Sequence, residues 1–505
     1  MDPCWTCRNR RVQCDKSGTP CAKCEKAGVE CLDRKPLKWV KGVAIRGKMQ
    51  GYSYEGKRNG SGKVSGTAKT VRLNPKTPGA LVRSAVSTSM PISLQDPSML
   101  NLDSTSKYYV DYYNERICKL FIVYDSDRNP FRSLISFGLQ DPVLQKAILA
   151  LAARHHANAG QPFNRVKALA SSSPVNADRD ALLFKHQAME ALSRVIGAGD
   201  TLKNDTTVAS IFLLIFLDLL ESGSDGWNFH LEGAKSLITS HQILLKSQAG
   251  VNNGPGQTLQ EIWGFISKQI HLIETLGATF LRPKLLSKFV PTDQEDIEPQ
   301  EAIEQSFLGC PDYLLKAIQF FSNERDTIAE SKLSDSAAVE THVRDTTAML
   351  ALVQKFDSYA WALSVQSQRQ SSVDDIKNLC TLSQAYKTGV LLYGRRVLDA
   401  LTKTLTVQDE LVSELLGLLN NLKDDEALFK CVLWAIFVAG LECRAQAQRV
   451  FLVGCLEKFW RDTSCLNVIN AAKILQGFWE QEERLDSPSQ WIFDIGCLGR
   501  DWLLI

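Results

Sequence analysis

Six of the chain's 14 cysteines fall between residues 4 and 31, in the order Cys4-x2-Cys7-x6-Cys14-x6-Cys21-x2-Cys24-x6-Cys31. The run is one unit, C-x2-C-x6-C, written twice end to end. Nothing else in the sequence limits the folding of its segment as strongly, because thiols this dense either bind metal or cross-link. Thiolates are soft ligands that suit zinc, and structural zinc takes four ligands in a tetrahedron. Six thiolates cannot fill two separate four-ligand sites, but they fill two sites when two of the sulfurs are shared. The expectation is a small zinc-stapled module in which Cys4, Cys7, Cys14, Cys21, Cys24 and Cys31 hold two Zn2+. Six thiolates and two dications leave a negative cluster, which Arg8, Arg10, Arg11, Lys16, Lys23 and Lys26 offset while still facing outward. The competing outcome is a disulfide knot, for which six cysteines allow about 15 pairings.

The redox setting bears on that choice. The opening residues, MDPCWTCRNRR, contain no apolar signal-peptide core. No apolar run reaches the roughly 18 residues that span a membrane. The longest, 208–220, is interrupted by Asp218. An intracellular, reduced chain without a membrane anchor is expected, and there clustered cysteines favour metal. The other eight cysteines (Cys118, Cys310, Cys380, Cys431, Cys443, Cys455, Cys465 and Cys497) have no ligand spacing and read as buried thiols.

The net charge of +2 conceals an asymmetry. Residues 1–100 hold 19 Lys+Arg and 7 Asp+Glu, a balance of 19 − 7 = +12. The rest holds 58 − 19 = 39 basic and 56 − 7 = 49 acidic residues, a balance of −10. A basic arm ahead of an acidic body points to a polyanion as the partner of the front end.

Three regions follow from the patterning. Residues 1–35 are the cysteine module. Residues 36–105 form a basic, Gly/Ser/Lys/Pro-rich flexible linker, with Asn59-Gly60-Ser61-Gly62 and the Pro75–Pro78 stretch as turn formers. Residues 106–505 carry helical periodicity with almost no strand alternation, and are expected to form a large all-α domain. Asp141-Pro142 opens one helix, and further helices are expected near 178–196, 206–221, 228–245, 257–275, 311–325, 338–363, 374–403, 408–422, 426–460 and 466–482. Gly389, Gly394, Gly417 and Gly440 lie inside these stretches.

The module resembles a known family. Cys4-Trp5-Thr6-Cys7-Arg8-Asn9-Arg10-Arg11-Val12-Gln13-Cys14-Asp15, then Pro20-Cys21-Ala22-Lys23-Cys24 and Cys31, is similar to the fungal Zn2Cys6 binuclear-cluster DNA-binding domain in every cysteine interval, in the basic run and in the proline before the fourth cysteine. The resemblance implies that Cys4 and Cys21 bridge the metals, that Cys7 and Cys14 complete one zinc, and that Cys24 and Cys31 complete the other. Further along, 226–238, 116–154 and 434–442 resemble parts of the fungal-specific transcription-factor regulatory domain, with Ala435 where Pro is more usual. In this stretch Trp227 and Gly233-Ala234 read as helix packing: a bulky anchor beside small residues.

Partner and mechanism follow as expectations. The segment after Cys7 is a short helix, and a short helix fits the major groove of double-stranded DNA, where Arg pairs bidentately with guanine. The resemblance implies a GC-rich triplet of the CGG type, read by Arg11 with Arg10 beside it. Arg8, Lys16 and Lys23 are placed as phosphate contacts, which position without specifying; Gln13 stands where Lys is commoner. The whole is expected to be a nuclear regulator of RNA polymerase II transcription whose acidic body meets the transcription machinery or co-regulators. The alternative is a protein-interaction scaffold whose zinc module grips a partner. Residues 32–66 lack heptads, so the chain is expected to act as a monomer or to form a homodimer through its helical domain. No catalytic residue is expected. GKRNGSGK at 56–63 lacks the spacing of a phosphate loop, and H-E-x-x-H, G-x-S-x-G and dinucleotide fingerprints are absent. His155-His156 reads as an exposed helix end, and the acidic run 293–301 as a solvated loop.

Overall fold

A computed structural model describes residues 4–10, 12–15, 20–32, 99, 102–163, 176–198, 205–224, 226–247, 257–282, 286, 303–330, 336–366, 373–483, 490–495 and 500–505. The chain divides into two compact units, Met1–Ser89 and Met90–Ile505. Residues 36–98, 100 and 101 of the linker, the 56–63 motif, the acidic run 293–301 and Cys497 lie outside the described residues, and α3 already begins inside the expected linker at Ser104. Among those described, the secondary structure is helical, and the only strand-like pairing is an isolated bridge between Ser224 and Trp502.

The first unit holds two short helices, α1 (Trp5–Asn9) and α2 (Ala22–Lys26). The second begins with α3 (Ser104–Tyr112), a π-helical turn (Tyr113–Ile117) and α4 (Cys118–Leu120). There follow α5 (Pro130–Gly138), α6 (Pro142–Asn158), α7 (Ala177–Gly197), α8 (Asp205–Glu221), α9 (Trp227–Ser247) and α10 (Gln257–Ala278). Next come α11 (Asp312–Ala329), α12 (Ser336–Lys355), α13 (Ser358–Gln366), α14 (Val373–Thr402) and α15 (Asp409–Leu422). The chain ends with α16 (Glu426–Phe429), α17 (Leu433–Glu442), α18 (Gln446–Thr463), α19 (Asn467–Glu482) and α20 (Trp491–Asp494).

Two helices that are apolar all round set the centre of the second unit. A helix without a polar face is stable only when covered on every side. Every residue of α8 from 207 to 220 is buried, and α8 packs on α6 and α9. All of α17 is buried among α14, α15, α18 and α19. No helix among the described residues is long and apolar enough to cross a membrane. Close approach around α17 depends on absent side chains: a Cβ on Gly389 would sit 2.7 Å from the Trp434 ring, and one on Gly440 would sit 2.6 Å from Leu475.

Carboxylates begin several helices where the sequence places them. Asp141 accepts from the Val143 and Leu144 amides at 2.8 and 3.0 Å ahead of Pro142, the arrangement expected for α6. The expected single helix at 338–363 is two, because Asp357 accepts from the Tyr359 and Ala360 amides at 3.0 Å and starts α13. The expected helix at 426–460 is three. Asp425 caps α16, and Arg449 donates to the Cys443 carbonyl at 3.2 Å where the chain leaves α17. None of the three breaks contains Gly or Pro.

Two local readings need correction. His155 is buried, with Tyr112 Oη 2.8 Å from its Nδ1, and His156 is half-buried against Tyr108, so this is not an exposed helix end. Burial pulls His155 down to about 4. Trp227 is fully buried and donates to the Asp501 carbonyl at 3.0 Å, as an anchor should. Its close small neighbour is Gly277, however; Gly233 has open space beside it. Of the scattered cysteines in the described residues, six are buried and Cys380 is half-buried. Burial pushes the Cys118, Cys431, Cys443 and Cys465 thiols up to about 12.

The buried charge is paired. Arg396 grips Glu442 through Nε (2.7 Å) and Nη2 (2.5 Å), and Asp399 through Nη1 (2.8 Å). Trp491 Nε1 donates to the same Glu442 at 2.7 Å. Arg396→Ala strands two buried carboxylates, and such a loss costs about 3–5 kcal/mol. The denaturation midpoint of the full chain should fall accordingly, and a loss below about 1 kcal/mol, the range of exposed pairs, contradicts this assignment.

Candidate metal centre and nucleic-acid interface

The doubled C-x2-C-x6-C unit folds into two similar halves. In each, the residue after the first cysteine opens a helix, and the second cysteine follows one turn on. Residues three apart on a helix share a face, so the paired sulfurs point the same way. The Cys7 amide donates to Cys4 Sγ at 3.3 Å and the Cys21 amide to Cys31 Sγ at 3.5 Å. Cys4, Cys7, Cys21 and Cys24 are buried, while Cys14 and Cys31 are half-buried.

The sulfurs stand 3.8 Å apart for Cys4–Cys21 and for Cys4–Cys24, and 3.7 Å apart for Cys7–Cys21. Cys14 lies 4.0 Å from Cys4. A zinc–sulfur bond of about 2.3 Å gives a tetrahedral edge of about 3.8 Å. A disulfide needs about 2.05 Å, and all six cysteines are free. Two tetrads have their sulfurs mutually within 4.8 Å: Cys4, Cys7, Cys14 and Cys21, and Cys4, Cys21, Cys24 and Cys31. Cys4 and Cys21 belong to both. Cys7 and Cys24, from different tetrads, also approach to 3.7 Å, so the four buried sulfurs form one compact knot flanked by Cys14 and Cys31. No other metal-sized group of His, Cys, Asp and Glu occurs among the described residues. The donor set therefore fits zinc.

The thiols are not electrostatically alike. The Cys7 amide draws Cys4 below the usual thiol range, and the Cys24 amide does the same for Cys21. Burial pushes Cys7 up to about 12, and Cys24 higher still. The two sulfurs common to both tetrads are thus the readiest thiolates. Burial opposes ionisation of the other two buried ones.

Of the basic residues expected to meet DNA, Arg10 and Lys23 are exposed, as is Lys26. Arg8 lies in α1 with its side chain outside the description, and Arg11 and Lys16 fall outside the described residues. Two polar residues to which the cysteine pattern assigns no role also bond between the halves. Thr6 Oγ1 donates to the Glu30 carbonyl at 2.8 Å and accepts from the Leu32 amide at 3.0 Å. The Asp15 carboxylate accepts from the Ala22 amide at 3.1 Å and the Lys23 amide at 3.4 Å. Only the position of Asp15 directly after Cys14, seven residues before α2, hinted at a cap across so short a gap.

Comparison with known proteins bears on the whole chain. Residues 2–39 match the fungal Zn(2)-Cys(6) binuclear cluster domain, and residues 108–505 match the fungal specific transcription factor domain. The acriflavine sensitivity control protein acr-2 of Neurospora crassa is 23% identical over 428 residues, which cover 81% of this chain and 68% of that protein. No solved structure matches the chain. With a zinc-compatible thiol cluster at its front and a family domain spanning nearly all of its helical body, the chain belongs to the fungal-specific transcription factors with a Zn(2)-Cys(6) cluster, a family of DNA-binding regulators of transcription.

Proposed function

We propose that the chain is a nuclear, sequence-specific regulator of RNA polymerase II transcription that reads a short GC-rich triplet through its N-terminal unit. The observation that carries this reading is the pair of sulfur tetrads sharing Cys4 and Cys21, with a short cation-bearing helix built onto the first. Two Zn2+ would be held by the tetrads: Cys4 and Cys21 would serve both, Cys7 and Cys14 would complete one, and Cys24 and Cys31 would complete the other. The metals supply no reaction; bound, they tie the two halves into one rigid body.

The chain's own residues do the reading. α1 contains Arg8 and ends at Asn9, and the exposed Arg10 follows it directly. Arg11 contacts a guanine edge with Arg10 beside it, and Arg8, Lys16 and Lys23 contact phosphates. The balance of +12 over residues 1–100 supports a polyanionic partner. The three-part division (1–35 reader, 36–105 basic linker, 106–505 regulatory body) supports a separation of tasks, in which the acidic body answers to co-regulators or the transcription machinery. The chain acts as a monomer or as a homodimer paired through that body.

Metal analysis of the full chain tests the cluster. Two zinc equivalents per chain are expected. Cys4→Ser or Cys21→Ser should lose both, whereas Cys14→Ser should lose only one. Equal losses in all three variants contradict the sharing of Cys4 and Cys21. Because the ligands must be deprotonated, zinc should leave as pH falls.

Duplex titrations test the reading. Arg11→Ala should weaken the selected site by roughly 1–3 kcal/mol and flatten the preference at one base pair, whereas Lys23→Ala should weaken matched and scrambled duplexes alike. Equal loss on both duplexes for Arg11→Ala moves that residue to the backbone.

A further inference from the structure

The sulfur cluster has an approximate internal symmetry, and hydrogen bonds reinforce it. Each residue of the first half has an equivalent 17 positions later, since Cys4 faces Cys21 and Cys7 faces Cys24. By that count Thr6 corresponds to Lys23, and Asp15 to Leu32. These are the residues that join the halves. Asp15, next after Cys14, accepts from the start of α2 at Ala22 and Lys23. Leu32, next after Cys31, returns to α1: its amide donates to Thr6 Oγ1, and its carbonyl accepts from the Thr6 amide at 3.4 Å. Thr6 Oγ1 also donates to the Glu30 carbonyl, and Thr6 is buried. In each half, the residue after the third cysteine closes onto the helix of the other half.

We infer that Thr6 and Asp15 are positioning residues, a reciprocal pair of hydrogen-bonded staples that fix α1 against α2. Shared sulfurs alone do not do this. Two tetrahedra meeting at two sulfurs hold the halves together, yet each helix is anchored to the cluster through only one turn and can tilt about it. The staples add hydrogen bonds to the same first turn of each helix, beside the sulfur ligands, and tie that turn directly to the other half. They fix the direction in which α1 presents Arg10 and the residues after it. α1 has only five residues, so it has no length with which to correct its own tilt. Thr6 accepts and donates at once, so a hydroxyl is required there. Valine has the right shape and offers neither bond. The inference rests on the proposed DNA reading for its consequence, though not for its geometry.

The test uses the zinc-loaded full chain with Thr6→Val, Thr6→Ser and Asp15→Ala. Three quantities are read: zinc per chain, amide exchange across residues 20–32, and affinity for a selected against a scrambled duplex. Thr6→Val and Asp15→Ala should keep the zinc count of the unsubstituted chain. Their amide exchange should rise about tenfold, and affinity for the selected duplex should fall about tenfold with the scrambled one unchanged, as expected for losing one or two net hydrogen bonds. Thr6→Ser should match the unsubstituted chain in all three. Unchanged exchange in Thr6→Val overturns the inference, and so does a Thr6→Ser variant as impaired as Thr6→Val. Zinc loss in Thr6→Val also overturns it, because Thr6 would then serve to retain metal rather than to set an angle. Should the unsubstituted chain fail to distinguish the duplexes, the DNA reading itself has failed, and amide exchange alone decides for or against the staples.

Discussion

The sulfurs of Cys4 and Cys21 belong to both tetrads of the N-terminal unit, and the rest of that unit depends on them. Its two helices are five residues each, far below the length at which a helix is stable in water by itself. Its buried hydrophobic cluster consists of the four cysteines Cys4, Cys7, Cys21 and Cys24, with Cys14 and Cys31 packed against them. Metal–thiolate bonding therefore takes the place that apolar burial has in larger domains.

The helical body solves the opposite problem. Apolar area is abundant there, and the difficulty is to seat charge within it. Asp218 interrupts the apolar helix α8 and is met by His230 Nδ1 at 2.9 Å. Lys235 is buried between Glu232 and Glu274, each 2.7 Å away. Glu442, in the apolar helix α17, is held by Arg396 and Trp491. Such pairs contribute little net stability against a well-packed apolar replacement, but half of one left alone is costly. They therefore fix which helices can be neighbours. The last residues join the same framework: Leu503, Leu504 and Ile505 are buried, and Asn467 Nδ2 donates to the Leu503 and Ile505 carbonyls at 3.3 and 3.2 Å.

How much of this was legible depends on the range of the interaction. The cysteine spacing carries its own geometry, so six clustered thiols with two sulfurs shared could be expected before any fold, while the identity of the shared pair came only from the family resemblance. Helix starts were visible where an Asp precedes a Pro, as at Asp141-Pro142, because both residues act locally. Helix breaks were not visible inside runs whose apolar pattern is continuous. At Asp357 a carboxylate caps a new helix within such a run, and at Cys443 the freed carbonyl is satisfied by Arg449. His155 looked exposed because two adjacent histidines close a helix. Its burial comes from Tyr112, which precedes it by 43 positions. The bonds of Thr6 and Asp15 are illegible in sequence for the same reason: their partners lie across the cluster, where spacing within one half says nothing.

A zinc-bound N-terminal unit that grips DNA through its cations must show salt-dependent binding. Each neutralised phosphate releases counterions and contributes about −0.9 to the slope of log affinity against log salt. With Arg8, Lys16 and Lys23 on phosphates, the zinc-loaded full chain should show a slope near −3 on its selected duplex, and chelation of the zinc should abolish the preference for that duplex. Binding indifferent to salt, or a preference that survives complete removal of the metal, would contradict the account.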